Sequence, residues 1–333
     1  MGGFRNRLKL HSLAALVAAL MAVPIQTGTA QAADTVTIAT SIETLDAFVP
    51  QFGSQVGIFA KHGLDINYVK GANGSAMVAA VVGGSADITH VGAALIFPAI
   101  QKGAALTVLL GNYDIDYTFI ARKDAGVDIK KGYPAFLNDL KGKLIGVAGR
   151  GGATELYVRK MFTDAGMNPD KDITFIAIGT GYGAAGAFTN RQVDAMASIP
   201  PSSTLIGTDN LDVLVDLKAT RNKVFDPEYL FTVFTANSDF VQNRPQVAQN
   251  FCKAVIETIS YMKDPANEQK LVDFTAKTLK LDVGKAKELI DVYKSGFNAK
   301  LTKERWEGMK KYAAFVPDWT TNAYQPCARL TSG

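Results

Sequence analysis

Two glycine-rich turns carry the residues best suited to binding a charged group. The first runs from Gly149 to Thr154 and lies between a predicted strand and a predicted helix. Glycines let a ligand approach the backbone, and the free N–H groups at a helix start favour an anion. Arg150 either adds a charge-assisted contact or is exposed on a flexible turn. The turn predicts an anion site formed by these residues: Arg150, Gly151, Gly152, Ala153 and Thr154.

The second turn, Gly181 to Gly186, has the form G-x-G-x-x-G and opens a predicted helix after a strand. That is the form of a dinucleotide fingerprint. The corresponding turn earlier in the chain, residues 72–75, lacks this form yet occupies the same place. We therefore interpret both turns as helix starts where a ligand reaches the backbone, and we predict no cofactor. Their candidate ligand contacts are Asn73, Gly74, Ser75 and Tyr182.

The sequence contains no recognisable catalytic constellation. After residue 32 the histidines are His62 and His90, which lack metal-ligand spacing, and neither cysteine lies in a C-x-x-C motif. A nucleophile elbow and a P-loop are also missing. His90 ends a predicted strand, where it either contacts the ligand or packs as a strand-end residue. We predict a binding protein, not an enzyme, with no metal.

The elements that position these turns occur twice. A segment from Asp65 to Asp87 is matched by one from Asp172 to Asp194, and both spacings are 22 residues. Each contains a glycine-rich turn, a small-residue stretch and a second strand, and each follows another strand–turn–helix unit. Strands that alternate with helices predict mostly parallel sheets with covered faces. Two such units predict an α/β protein of two lobes with one cleft between them.

The N-terminal residues 1–32 have the pattern of a cleavable secretory signal peptide. Basic residues precede a short apolar run, and Ala30-Gln31-Ala32 is a small-x-small cleavage site. Without the three basic residues of this segment, 32 basic and 31 acidic residues remain, so no nucleic-acid partner is indicated. Export to an oxidising compartment makes a Cys252–Cys327 disulfide reasonable; a buried Cys252 and a free Cys327 are the alternative.

The chain resembles the nitrate/sulfonate/taurine family of periplasmic solute-binding proteins, which includes binders of thiamine precursors. The resemblance covers essentially the whole chain after the leader. The stretches that carry it are 57–66, 83–88, 139–147, 149–154 and 190–195.

This resemblance implies a two-lobed type II binding-protein fold. The pattern of the chain adds two crossings between the lobes, which predict a hinge of two crossing strands, and a helical C-terminal segment from Pro245 onward. The resemblance also implies a monomer that closes on a small ligand and delivers it to an ABC permease. It adds Ser41, Gly92, Ala93 and Pro200 to the candidate ligand contacts. Sulfonate and taurine binders often have Trp-Asp-Pro where this chain has Ile199-Pro200-Pro201. An acid suited to an ammonium group is missing there, which disfavours taurine.

We therefore expect a periplasmic solute-binding protein of an ABC importer that binds a small anionic solute. The expected first lobe comprises residues 33–117 and 236–333, and the second lobe 118–235. Three alternatives stay open: a binder of a thiamine-precursor pyrimidine, a synthase-like relative of such binders, and a periplasmic receptor that serves a sensor kinase.

Overall fold

The computed structural model describes residues 32–331 except 42–43, 115–116, 218, 220–231, 312 and 314. All of the predicted leader but Ala32 lies outside the described residues. The first of two five-stranded sheets contains β1 (Asp34–Thr40), β2 (Leu64–Lys70), β3 (Ile88–Gly92), β4 (Leu106–Tyr113) and β10 (Thr232–Asn237), in the order β2-β1-β3-β10-β4. The second contains β5 (Thr118–Arg122), β6 (Leu144–Val147), β7 (Thr174–Ala177), β8 (Ala195–Ser198) and β9 (Leu211–Asp216), in the order β7-β6-β8-β5-β9.

Helices cover the sheets, as the alternation of elements predicts. The α-helices among the described residues are α1 (Phe48–Gln55), α2 (Ile58–Lys61), α3 (Gly74–Val82), α4 (Ala93–Gln101), α5 (Ala153–Asp164), α6 (Pro169–Asp172), α7 (Gly181–Thr189), α8 (Ser202–Ile206), α9 (Ser238–Asn243), α10 (Pro245–Lys263), α11 (Glu268–Leu279), α12 (Val283–Tyr293), α13 (Lys303–Gly308), α14 (Trp319–Asn322) and α15 (Gln325–Leu330). Short 3-10 segments occur at Leu45–Ala47, Lys123–Ala125, Ile129–Lys131, Ala135–Leu140, Thr208–Asn210, Pro265–Asn267, Lys294–Gly296 and Met309–Lys311.

The sequence pattern from Asp46 to His62 suggests one helix, but the structure has two. Gly57 lies between α1 and α2 with a φ of 78°, a left-handed conformation that a continuing helix cannot contain. The interruption separates two short helices that both contribute buried residues to the first lobe, among them Phe52 and Phe59.

The duplicated segments have the same structural role. The carboxylate of Asp87 accepts a hydrogen bond from the Thr37 N–H at 2.8 Å, and that of Asp194 accepts one from the Leu144 N–H at 2.9 Å. Each aspartate therefore joins the end of its segment to a strand of its own sheet, β1 in the first sheet and β6 in the second. The two sheets also share a pattern, since three parallel strands are followed by an inserted antiparallel strand, β10 in one and β5 in the other.

The inserted strands β5 and β10 follow the two connections between the lobes. The chain leaves the first sheet after β4 and enters the second at β5, and it returns from β9 to β10. Residues 218 and 220–231 of the return lie outside the described residues. We use "first lobe" and "second lobe" for each sheet with its helices; the residue boundaries given above stay a prediction.

The C-terminal helices belong to the first lobe, so the predicted helical C-terminal segment is confirmed. Phe274 of α11 packs edge-on against Phe48 with ring centroids 5.0 Å apart, and against Phe52 at 5.2 Å. A disulfide joins Cys252 of α10 to Cys327 of α15, as expected. It closes a loop of 75 residues and fixes the last described helix to the lobe core.

No helix within the described part of the chain is long and apolar enough to cross a membrane. The same part contains no group of three or more His, Cys, Asp or Glu side chains arranged to hold a metal ion.

Candidate functional site

A cleft between the two sheets is lined by the turns at 72–74 and 149–154 and by Thr180, which precedes the turn at 181–186. Its volume is about 620 Å³, which includes space open to solvent. Residues of both lobes line it: Ser41, Thr44, Asp46, Ala72, Asn73, Gly74, Met77, His90, Val91, Gly92, Leu95 and Thr232 from the first, and Tyr117, Ala148, Gly149, Gly152, Ala153, Thr154, Thr180 and Ile199 from the second lobe and the crossing that leads to it.

Seven of the thirteen predicted ligand contacts lie in this lining. They are Ser41, Asn73, Gly74, Gly92, Gly152, Ala153 and Thr154. The other six lie outside it: Ser75, Ala93, Arg150, Gly151, Tyr182 and Pro200.

On the second-lobe rim, α5 begins at the cleft with no side-chain cap. Its N-cap residue is Gly152, which has no side chain to accept from the first N–H groups of the helix. Thr154 does not replace the cap, because its hydroxyl accepts from the Ala148 N–H at 3.0 Å instead. Thr180, the N-cap of α7, also makes no side-chain cap hydrogen bond. Two helix N-termini of this lobe therefore reach the cleft without a side-chain cap.

On the first-lobe rim, α3 is capped internally. The side-chain oxygen of Asn73 accepts from the Ala76 N–H at 3.0 Å. The two rims also touch, since a Cβ atom placed on Gly149 would lie 2.9 Å from the Cβ of Asn73. A side chain at position 149 would force the rims apart, so the close contact of the rims requires glycine there.

Arg150 faces away from the cleft and belongs to a charged cluster behind α5. Its guanidinium donates to Glu155 at 2.8 Å, and Arg159 donates to the same carboxylate at 2.9 Å. The Gly151 N–H donates to it as well, at 2.8 Å. Burial alone would raise the pKa of Glu155, but the hydrogen bonds from Arg150, Gly151 and Arg159 outweigh burial and lower it. The cluster fixes the turn that leads into α5.

A buried polar chain lies at the first-lobe side of the cleft. The Thr40 hydroxyl and His90 Nε2 are 2.6 Å apart, and His90 Nδ1 and a carboxylate oxygen of Asp46 are 3.3 Å apart. The order hydroxyl, imidazole, carboxylate has the form of a nucleophile with its base. However, the Thr40 side chain is buried, does not line the cleft and lies within reach of the Ser41 carbonyl at 3.1 Å. Its hydroxyl is therefore not presented to a solute.

Sequence reasoning missed several lining residues. Thr180 precedes the glycine-rich helix α7, and a threonine at that place is a recognisable N-cap signal. Asp46 gave no such signal, because only the pairing of β1 with β3 brings it near His90. Tyr117 and Ile199 come from the crossing and from the end of β8, whose positions depend on how the lobes meet.

The two mixed five-stranded sheets with their helices match the type II periplasmic binding-protein fold, which confirms the predicted fold class. The chain belongs to the NMT1/THI5-like family, whose model matches residues 52–268. A protein of Brucella abortus strain 2308, named as a candidate binding protein, is 32% identical over 238 residues, which is 70% of this chain and 68% of that protein.

Solved structures share this fold. The alkanesulfonate-binding protein SsuA of Xanthomonas axonopodis pv. citri, bound to MOPS, is 15% identical with a TM-score of 0.69, over 87% of this chain and 98% of that chain. The periplasmic nitrate-binding protein NrtA of Synechocystis PCC 6803 is 16% identical with a TM-score of 0.63, over 76% of this chain and 69% of that chain. The desulfurization enzyme DSZB is 15% identical with a TM-score of 0.55, over 84% of this chain and 91% of that chain. The fold therefore also occurs in an enzyme.

Proposed function

We propose that this protein is the extracytoplasmic solute-binding protein of an ABC importer and that it holds a small anion in the cleft between its lobes. The observation that carries the proposal is the start of α5 at the cleft with Gly152 as its N-cap. The first N–H groups of a helix have no intrahelical partner, and the helix dipole favours negative charge beside them. A small anionic group is the ligand chemistry that completes such a site.

The charge of the lining supports recognition by the backbone rather than by a cationic side chain. Among the described lining residues none is Lys or Arg. Asp46 is the one carboxylate, and it faces His90. An anion would therefore be held by N–H and hydroxyl groups, with hydroxyl contributions from Ser41, Thr44 and Thr180. Such a site favours a compact monoanion over a multiply charged one, because no cation is present to balance further charge.

A second candidate is a pyrimidine of the thiamine-precursor type. Apolar side chains of Met77, Leu95 and Ile199 lie in the same lining as the polar groups of Asn73 and His90. A flat heteroaromatic ring needs this combination of apolar surface and a few directed hydrogen bonds. This solute is neutral, so charge separates it from the first candidate.

The proposal includes binding without catalysis and a periplasmic location. Its support is the Brucella relative named as a binding protein, the two structural neighbours named for sulfonate and nitrate binding, and the leader pattern in residues 1–32. The intact mass of the exported protein tests the location. We expect a mature chain that begins at or near Ala33, and a mass that includes Met1–Ala32 would contradict it.

A thermal-shift screen tests the solute class. The compounds are short alkanesulfonates, nitrate, short carboxylates and pyrimidines including 4-amino-5-hydroxymethyl-2-methylpyrimidine. A solute present at 100 times its Kd stabilises the folded state by about 2.7 kcal/mol, which raises the midpoint by several degrees. We expect a rise with at least one anion. A rise with the pyrimidines alone would replace the first candidate by the second.

A further inference from the structure

Tyr182 makes a hydrogen bond from one lobe to the other, outside the cleft. It is the second residue of α7 in the second lobe, and its side chain does not line the cleft. Its hydroxyl donates to the backbone carbonyl of Leu279 at 2.7 Å and lies 3.3 Å from that of Lys280. These carbonyls belong to the end of α11 in the first lobe.

The Leu279 and Lys280 carbonyls are free to accept the Tyr182 hydroxyl, because a helix C-terminus has carbonyl groups without intrahelical partners. Leu279 is the last residue of α11, and Lys280 follows it with a φ of 52°, which ends the helix. The helix itself is held in the first-lobe core by Phe274, which packs on Phe48 and Phe52. The acceptor site is therefore a fixed part of the first lobe.

The donor is coupled to the cleft through the start of α7. Thr180 is the N-cap of this helix and lines the cleft, two residues before Tyr182. A small crevice lined by Tyr182, Pro201, Thr278 and Lys280 marks the place where the two lobes meet here. Asn73 and Gly149 also approach each other closely, at the cleft itself. The Tyr182 hydrogen bond therefore joins the lobes at a point separate from that contact.

We propose that Tyr182 is a positioning residue that holds the lobes closed over the solute without touching it. The inference rests on the proposed solute-binding function, but it does not depend on the charge of the solute. The hydrogen bond exists only when the lobes are together, so it stabilises the closed form and not the open one. Its loss should weaken binding of every solute by the same factor, through faster dissociation.

The test measures Kd and the dissociation rate for Tyr182→Phe, with Tyr324→Phe as the matched control. Tyr324 also donates its hydroxyl to a backbone carbonyl, that of Pro245 at 3.1 Å, but both residues lie in the first lobe. The probes are methanesulfonate, nitrate and 4-amino-5-hydroxymethyl-2-methylpyrimidine. For each probe that binds the wild type, we expect Tyr182→Phe to raise Kd and the dissociation rate by roughly three- to tenfold, and Tyr324→Phe to change neither.

Two outcomes would overturn the inference. An unchanged dissociation rate in Tyr182→Phe would mean that the interlobe bond does not hold the closed form. A factor that differs between bound probes would assign Tyr182 to direct solute contact. Binding of the pyrimidine alone, with dissociation accelerated by roughly three- to tenfold in Tyr182→Phe, would contradict the anion proposal and still support the role of Tyr182, so the two failures are distinguishable.

Discussion

The two rims of the cleft differ in how the helices that begin there are capped. On the first-lobe rim, the side chain of Asn73 caps α3 by accepting from the Ala76 N–H at 3.0 Å. On the second-lobe rim, Gly152 is the N-cap residue of α5 and supplies no cap. Thr180, which corresponds to Asn73 in the duplicated segment, also makes no side-chain cap hydrogen bond. The start of α3 therefore has a side-chain acceptor for one of its backbone donors, whereas the starts of α5 and α7 have no side-chain cap. On the proposal of an anionic solute, the second lobe would supply most of its recognition.

The positions of the charged side chains also differ between the two rims. Behind the second-lobe rim, Glu155 takes hydrogen bonds from Arg150, Arg159 and the Gly151 N–H, so its charge is compensated away from the cleft. On the first-lobe side, Asp46 and His90 lie in the lining itself. The carboxylate of Asp46 disfavours an anion close to it, which is a second reason to assign the anion to the α5 side.

The largest effect is expected from Gly152→Asp. An N-cap aspartate accepts from the N–H groups that an anion would use and adds a like charge beside it, so we expect affinity to fall by at least ~100-fold. Gly152→Asn is the matched control, because both changes add a Cβ that would lie 2.9 Å from the Gly149 carbonyl oxygen. Calorimetry with the tightest anion of the screen should show a clearly smaller loss for Asn.

The same substitution on the other rim decides whether the comparison holds. At Gly74 an added Cβ would meet the end of the Leu95 side chain at 2.8 Å, which can move more easily than backbone. Because α3 is already capped by Asn73, Gly74→Asp should cost less affinity than Gly152→Asp. Equal losses at the two positions would mean that both rims contact the anion alike.

A medium effect is expected from Glu155→Gln, measured as unfolding free energy. The change removes charge-assisted hydrogen bonds from a buried carboxylate, and we expect a loss of about 1–3 kcal/mol at pH 7. The pKa of Glu155 is lowered from 4.5 in the folded protein, so the charged carboxylate stabilises the fold above about that pH. This contribution disappears as the pH falls through the lowered pKa.

Denaturant unfolding at several pH values checks the direction in which the stabilisation by Glu155 changes with pH. The difference between wild type and Glu155→Gln should be constant from pH 7 to about 5.5 and should shrink below pH 4.5. Asp164→Asn is a control, because the Lys160–Asp164 pair is more exposed and lies on the outer side of the same helix. A difference that grows on acidification would contradict the assignment of Glu155 as an ionised anchor of the turn.

The smallest effect is expected from Asn73→Ala. Loss of an N-cap side chain costs about 1 kcal/mol of stability, while the cleft keeps its second-lobe donors. We therefore expect a lower unfolding midpoint and little change in Kd. Asn73→Ser keeps a capping oxygen and should restore most of the stability. A loss of affinity larger than the loss of stability would show that Asn73 contacts the solute directly.

The duplication of the fold could be predicted from sequence because it rests on short local patterns. Asp87 and Asp194 end equal segments and take the same hydrogen bond in their sheets. The glycine turns that reach the cleft were likewise visible in the sequence. The direction of the Arg150 side chain was not, because Glu155 has the pattern of an ordinary helix residue. Only its burial reveals that it accepts hydrogen bonds from the Arg150 guanidinium.

Contacts between elements that are distant in the sequence were also beyond sequence reasoning. Tyr182 gives no local signal of its bond to Leu279, which lies 97 residues away. The pairing of Asp46 with His90 depends on the neighbouring positions of β1 and β3. In both cases the partner is fixed by tertiary packing, and the spacing of the residues carries no information about it.

The most direct test of the account compares an anion with a neutral molecule of the same shape. Calorimetry would measure Kd of the wild-type protein for methanesulfonate against methanesulfonamide, and for acetate against acetamide. If N–H groups at the start of α5 hold a negative charge, at least one anion should bind roughly 100-fold or more tightly than its neutral partner. Equal affinities within both pairs, or binding of the neutral members alone, would contradict the central claim.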